Sequence, residues 1–380
     1  MARYRFEGEE HEMFRSTLRK FLEKEAAPKY DQWEKDRIIP KSFWKRLGEM
    51  GFLCPQVEEQ YGGLGLDFSY SVIIGEELER VGASTTGITL HNDIVVPYIE
   101  AYGTQEQKEK WLPGCVTGDL ITAVAMTEPG AGSDLANIKT TAVKTGDYYI
   151  VNGQKTFITN GIHADLILVV VKTDPDARHK GISLLVVEEG MPGFKRGGKL
   201  DKVGMHAQDT AELYFEDCRV PVTNLIGQEG DGFSYLMDKL QQERLVVAIA
   251  AQTASEDMLN MTIDYVKSRQ AFGKPVSSFQ NTQFKIAEMA TEIELGKSFL
   301  ESLIEEHIAG KEIVTKVSMA KYWLTETARK ISIECMQLHG GYGYMEEYKI
   351  ARRYRDTPVS SIYAGTNEIM KTIIAKRLGL

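Results

Sequence analysis

Cysteine is scarce in this chain of 380 residues, with four in all. Cys54, Cys115, Cys218 and Cys335 lie far apart and none belongs to a CxxC pair, which excludes a disulfide scaffold and reads as reduced thiols of a cytosolic protein. The seven histidines show no HExxH or other metal-ligand spacing, so no metal is expected. No apolar run approaches the ~20 residues of a membrane span. The N-terminus turns acidic at once and has no apolar core of the kind a secretory signal needs, nor the Arg/Ser bias of a transit peptide. Basic charge is in deficit, with 45 Lys+Arg against 54 Asp+Glu and a net charge of −9, which disfavours nucleic acid as a partner. The expected location is the cytoplasm, with a mature mitochondrial matrix form left open. With 43% hydrophobic and 26% charged residues, the chain is neither disordered nor collagen-like. Its length suggests two or three domains.

Phe14, Leu18, Phe21 and Leu22 recur at the i, i+4, i+7, i+8 spacing of an amphipathic helix. Similar patterns span Phe43 to Met50, Val72 to Val81 and Ile94 to Tyr102, with Pro28, Pro40, Pro55 and Pro113 as breaks. From about Thr122 the period changes. Tyr148 to Val151 and Gln154 to Thr159, joined by Asn152-Gly153, read as two strands around a type I′ turn. Leu166 to Lys172, Ile182 to Glu188 and Ala211 to Phe215 read as further strands. After Gly232 the helical period returns, broken at Phe272 to Pro275, Gly340 to Gly343 and Ala364 to Thr366. No internal repeat is present.

Three places invite a chemical reading. Met126 to Asp134 (MTEPGAGSD) follows a strand with glycines that would let backbone N–H groups approach a ligand. A bare loop explains it as well, and it is not a Rossmann fingerprint. Gln337 to Tyr344 (QLHGGYGY) follows a helix and serves either as its C-cap or as a second cradle. The third is Glu243. It falls inside the apolar stripe Phe233, Leu236, Met237, Leu240, Val247, Ala248, Ala251, three residues after Leu240 and four before Val247. Burial there raises a carboxyl pKa toward neutrality, which suits a general base. An ion pair with a distant cation is the alternative, Arg244 leaving the helix in another direction.

Six strings together resemble the acyl-CoA dehydrogenase family over essentially the whole chain: AMTEPGAGSDLANIKT (125–140), NGQKTFITNG (152–161), QERL (242–245), SRQAFGK (268–274), QLHGGYGY (337–344) and IYAGTNEIMK (362–371). The resemblance implies an α+β multidomain fold with an N-terminal helical domain (1–121), a central β-barrel or sandwich domain (122–227) and a C-terminal four-helix bundle (228–380). It implies FAD as cofactor and oxidation of an acyl-CoA thioester to trans-2-enoyl-CoA. In the family a carboxylate removes the α-proton, the β-hydrogen leaves as hydride to the flavin, and an electron-transfer flavoprotein reoxidises it. Carried over motif by motif, Met126, Thr127, Gly132 and Ser133 are expected at the flavin and its ribityl chain, with Ser133 also meeting the CoA. Phe157, Ile158 and Thr159 are expected on the isoalloxazine edge. Arg269, Phe272 and Gln280 are expected on the diphosphate and adenosine half. Gln337, Gly340 and Gly341 are expected to receive the diphosphate of a neighbouring subunit's cofactor, hence a homotetramer. Thr366 and Glu368 are expected to close over the FAD.

One departure matters. Short- and medium-chain members carry their base as Glu in a Tyr-Glu-Gly-Thr string, where this chain has Tyr363-Ala364-Gly365-Thr366. The backbone N–H of residue 364, which in the family bonds the thioester carbonyl, survives the change, and Tyr363, Ala364, Gly365 and Arg244 are expected around the substrate. Isovaleryl-type and long-chain-type members instead place the base where Glu243 stands, so the stripe and the resemblance converge on one residue. The strings QDTAEL (208–213) and GTNEIMK (365–371) are most like the long-chain type. The alternatives are an isovaleryl or other branched-chain dehydrogenase, an acyl-CoA oxidase, whose usual extra C-terminal domain is not expected in a chain ending at Leu380, and a non-catalytic flavin or acyl-CoA binding module.

Overall fold

The computed structural model describes residues 3–82 and 85–380. Helical elements come first: α1 (Glu9–Glu25), α2 (Tyr30–Asp36), α3 (Lys41–Glu49), α4 (Phe68–Val81), α5 (Thr86–Thr89), α6 (Val96–Tyr102) and α7 (Gln105–Thr117). The apolar positions Leu18, Phe21 and Leu22 of α1 are buried against Phe43, Trp44 and Leu47 of α3 and Phe52, as their spacing requires. Pro28 and Pro40 lie between helices. Pro113 does not break the chain but sits inside α7. Burial of Trp111, Leu112, Cys115 and Val116 on that helix outweighs the lost backbone hydrogen bond, a penalty of about 3 kcal/mol. The helix expected over Ile94 to Tyr102 begins instead with a π-helical turn, Leu90–Val95, between α5 and α6. Such turns gather at functional sites.

Eight strands follow: β1 (Thr122–Ala125), β2 (Thr141–Thr145), β3 (Tyr148–Thr159), β4 (Leu166–Lys172), β5 (Ile182–Glu188), β6 (Phe194–Lys199), β7 (Thr210–Pro221) and β8 (Leu225–Ile226). They form one sheet in the order β6-β7-β3-β2-β4-β5-β8, with β1 parallel to β4. Alternate residues of β4 serve two cores. Leu166, Leu168 and Val170 face the helices, while Ile167, Val169 and Val171 pack with Tyr149, Val151, Leu213 and Phe215. A strand buried on both faces reads as an unbroken apolar run, as this one does. The sheet thus folds over on itself like a sandwich, but β6 and β8 remain its free ends, so it is not a closed barrel.

The hairpin expected at Asn152-Gly153 is absent. β3 runs through both residues, and the register with β7 shifts between Val151 and Gly153. Gly153 has φ +152°, and a Cβ there would stand 2.4 Å from Thr140 Oγ1, so this glycine marks a bulge and a close strand approach rather than a turn. The hairpin turn is Gly146-Asp147, between β2 and β3, with φ +59° at Gly146. β2, β6 and β8 had no expectation attached to them.

The remaining helices are α8 (Gly232–Ser268), α9 (Gln280–Ile308), α10 (Val314–His339), α11 (Lys349–Asp356) and α12 (Asn367–Arg377). α8, α9 and α10 pack on one another, α12 lies on α10, and α8 also packs on α4 and β5. Between α8 and α9, β9 (Gln270–Ala271) and β10 (Lys274–Pro275) form a small ribbon. Its turn residues Phe272 and Gly273 both have positive φ, +51° and +79°. All four cysteines are buried free thiols. Among the described residues no helix is long and apolar enough to cross a membrane.

Replacing Gly153 by Ala should destabilise the protein by about 1–3 kcal/mol, through the clash with Thr140 and the unfavourable backbone angle. Gly198, where a Cβ meets nothing within 4 Å, is the control, and Gly198→Ala should leave the urea midpoint within error of the parent.

Candidate active site

The site begins on α8. Leu236, Leu240, Val247, Ala248 and Ala251 of the expected stripe are buried, whereas Met237 is exposed. Glu243 is partly buried between them, and its Oε2 is shielded from solvent without a hydrogen-bond partner. Burial pushes its carboxyl up to about 7, against the pull of Arg244 and Lys321. Among the described residues Glu243 makes no ion pair within 4 Å, so the distant-cation alternative is not what the fold builds. Arg244 is buried, its Nε is also unpartnered, and burial lowers its pKa. Two ionisable neighbours therefore keep unused hydrogen-bonding capacity, an unusual state for buried polar atoms.

Facing α8 is the turn before α12. Ala364 has φ +55° and Gly365 φ +85°, and the first is an uncommon conformation for a residue with a Cβ. Thr366 ends the turn by accepting the N–H of Ile369 at 3.3 Å, capping α12. Glu368 in the first turn is exposed, and its carboxyl is lowered by hydrogen bonds to its own backbone and Thr366. Beneath the turn, Lys321 of α10 donates to the Gly365 carbonyl at 2.8 Å and to Asn367 Oδ1 at 3.1 Å. The sequence reading did not name Lys321. Its signal was there: a lysine in the stripe Val317, Ala320, Leu324, Ala328, all fully or almost fully buried.

A tight cavity of about 10 Å³ lies between α4, the π-helical turn and α8. Phe68, Ser71, Gly75 and Glu79 form one wall of it, and Val246, Ile249 and Ala250 another. Val246 and Ala250 follow Glu243 by three and seven residues, so they share its helix face. The four α4 positions extend over about 16 Å of helix. A second cavity shares Glu79 and Ala250 and reaches Ala254 and Tyr363. Asp93 lines the first cavity with Oδ1 unpartnered. Burial pushes its carboxyl up to about 7. Gln242, next to Glu243, donates to the Asp93 carbonyl at 2.7 Å and so ties the π-helical turn to α8.

The β-domain candidates cluster around β1 and β3. Lys155, fully buried, donates to Glu128 Oε1 at 2.9 Å and to the Met126 carbonyl at 3.1 Å. Thr156 N–H donates to the Thr127 carbonyl at 2.9 Å, and Glu128 also accepts the N–H groups of Lys139 and Thr140. The Met126–Ser133 loop is thereby pinned from below, leaving Gly132 and Ser133 exposed and nothing within 4 Å of a Cβ built on Gly132. Phe157 has φ +60° and is 70% exposed, Ile158 is buried, and Thr159 Oγ1 accepts from Gln208 at 3.1 Å. An open backbone loop beside a bare aromatic ring and a hydroxyl fits a flat, polar-edged flavin.

The third group lies on the C-terminal helices. Arg269, Gln337, Gly340 and Gly341 line one groove of about 510 Å³, with Tyr342 under the Arg269 guanidinium. Sequence reasoning had divided Arg269 from the glycines between two subunits, yet a single chain brings them together. Gly340, at φ +60°, caps α10 and leaves open space where a Cβ would be. Phe272 and Gln280 are exposed outside that lining, Phe272 at 96%.

Comparison with known proteins covers the whole architecture. Family profiles described as acyl-CoA dehydrogenase N-terminal, middle and C-terminal domain match residues 8–119, 123–218 and 230–379. The chain is 47% identical to the mitochondrial long-chain specific acyl-CoA dehydrogenase of Mus musculus, over 97% of this chain and 86% of that protein. It is 38% identical to an acyl-CoA dehydrogenase of Bacillus subtilis over 97% and 98%. A crystal structure of an acyl-CoA dehydrogenase from Geobacillus kaustophilus superposes with a TM-score of 0.99 at 71% identity, covering 99% of this chain and all of that one.

The Glu243 carboxyl has a consequence for stability. Its folded pKa of about 7 lies above the ordinary 4.5, so the folded state holds the proton more tightly. That contribution is complete below about pH 4.5 and is lost as the pH rises through about 7. Glu243→Gln should therefore match the parent in urea unfolding at pH 4 and exceed it at pH 8, by on the order of 3 kcal/mol. Equal stabilities at pH 8 would contradict the raised pKa.

Proposed function

The chain belongs to the acyl-CoA dehydrogenase family of flavin-dependent oxidoreductases, and from that premise we propose that Glu243 is its catalytic base and long-chain fatty acyl-CoA its substrate. The observation behind the first part is the desolvated, unpartnered carboxyl on α8, coupled with alanine at position 364. A carboxylate without a hydrogen-bond partner is free to take the α-proton, and a pKa near 7 balances basicity against ionisation at neutral pH. The N–H at Ala364 holds the thioester carbonyl, so charge moving onto that oxygen as the α-proton leaves meets a fixed donor. FAD, when bound, accepts the β-hydrogen with its electron pair. Met126, Thr127, Gly132, Ser133, Phe157, Ile158 and Thr159 would hold its flavin half. Arg269, Phe272, Gln280, Gln337, Gly340 and Gly341 would hold the diphosphate and adenosine, with Thr366 and Glu368 closing the site.

The long-chain reading draws on the cavity along α4 and on the likeness to the mouse protein. Gly75 stands in the middle of the cavity wall, where a Cβ would reach only Thr89 Cγ2, at 3.8 Å. A glycine in a helix interior costs about 1 kcal/mol, and here it keeps a side chain out of a cavity of about 10 Å³, which an acyl chain would widen by displacing the side chains around it. Assembly into a homotetramer is supported by the surface of the C-terminal helices. Phe272, Phe284, Leu295, Ile333 and Tyr344 are all exposed there, apolar side chains that a neighbouring subunit would cover. An electron-transfer flavoprotein is the proposed electron acceptor.

Anaerobic mixing with palmitoyl-CoA tests the base. The parent flavin band should bleach, and a folded, yellow Glu243→Gln should lose at least a thousandfold in bleaching rate; a variant that bleaches undiminished removes Glu243 from the role. Chain length is tested at Gly75. Gly75→Leu should cut kcat/KM for palmitoyl-CoA at least tenfold and leave butyryl-CoA within threefold, whereas equal effects on both would place the acyl tail elsewhere.

A further inference from the structure

Lys321 is fully buried on α10, and among the described residues no carboxylate lies within ion-pairing distance of it. A buried ammonium without an acidic partner is rare and costly. Its neighbours are neutral acceptors, the Gly365 carbonyl at 2.8 Å and Asn367 Oδ1 at 3.1 Å. Asn367 is held in turn, its amide donating to Thr325 Oγ1 at 3.0 Å. Gly365 follows Ala364 in a left-handed pair, φ +85° after φ +55°, so its carbonyl and the Ala364 N–H belong to one tight turn. Held left-handed conformations of this kind persist only where the surroundings fix them.

We propose that Lys321 is a positioning residue for the dehydrogenation: by anchoring the Gly365 carbonyl it fixes the turn that presents the Ala364 N–H, and its charge offsets the negative charge that develops on the thioester oxygen. This rests on the reading of Glu243 as base and of Ala364 as carbonyl donor. The arrangement explains why the cation lacks a partner, since its counter-charge forms only as the α-proton leaves. Arg244 and Glu243 on α8 and Glu368 on α12 are the charged groups that act on it. Burial and Arg244 lower its pKa, against Glu368 and Glu243, to about 8. Lys321 in turn lowers the Glu243 carboxyl, keeping part of the base ionised. The need for fixed charge at the oxygen is the general logic of electrostatic preorganisation.

The test uses the holoprotein and a 3-thiaacyl-CoA, in which sulfur replaces the β-methylene. Its α C–H bond breaks and the proton passes to the Glu243 carboxylate, while the electron pair stays on the ligand as an enolate because no hydride can leave. The enolate over oxidised flavin gives a long-wavelength absorbance band, read at equilibrium and without turnover. Lys321→Met, of similar volume, should keep the parent's flavin content and a thermal midpoint within a few degrees, yet lower the ionisation equilibrium at least tenfold and raise the pH midpoint of the band, with the analogue Kd weakened by no more than that loss. Lys321→Arg should recover the midpoint. Lys321→Gln, which keeps a donor but no charge, should lie between and carries the test if the Met variant does not fold. A folded Met or Gln variant whose band and midpoint match the parent overturns the proposal. Absence of the band in the parent would instead defeat the underlying base assignment.

Discussion

The structure turns on the desolvation of one carboxyl. Glu243 sits where α8 offers its buried stripe, and its unpartnered Oε2 makes the ionised form expensive. Everything nearby moderates that cost without cancelling it. Arg244 and Lys321 pull the carboxyl back toward ionisation, but neither closes an ion pair, which would hold it permanently charged and weakly basic. α8 can hold such a residue because it is 37 residues long and packs on α4, β5, α9 and α10. A helix braced on several sides can keep an unfavourable group in place where a surface helix would bend it out to water.

The same helix lays out the rest of the proposed reaction path. One turn beyond Glu243, Val246, Ile249 and Ala250 become cavity wall, opposite the Gly75 stretch of α4. The π-helical turn 90–95 supplies another wall, tied to α8 through Gln242. The Ala364–Gly365 turn carries no carboxylate, so in the proposed reaction proton removal and carbonyl binding fall to different segments of the chain. The turn is held by side chains from below, Lys321 on the Gly365 carbonyl and Asn367 beside it, which is why a buried lysine under Gly365 acquires significance.

Much of this was legible in the sequence, and the exceptions have identifiable causes. The helical stripes of α1, α3, α4 and α8 follow from spacing, and β4 and β5 were read to their end residues, because one face or two faces of each must be buried. Asn152-Gly153 misled because the dipeptide signals a hairpin only when the flanking strands pair with each other. Here both flanks pair with β7, a long-range choice that no local window contains. Pro113 misled for the converse reason, local propensity yielding to tertiary burial. β6, whose residues are Phe-Lys-Arg-Gly-Gly-Lys, has almost no apolar content and exists through its pairing with β7. Glu243 was found as a charge in an apolar stripe, and the same rule applied to α10 would have found Lys321. What spacing could not supply was the partner, since Lys321 and Gly365 lie 44 residues apart.

The central claim is that Glu243 titrates near neutrality in the folded protein. Infrared difference spectra of the parent minus Glu243→Gln, followed from pH 4 to pH 9, measure it directly through the protonated carboxyl C=O stretch. The account predicts that this band persists above pH 6 and is lost with a midpoint near 7. Loss of the band with a midpoint near 4.5 would show an ordinary solvated carboxylate and contradict the desolvated base.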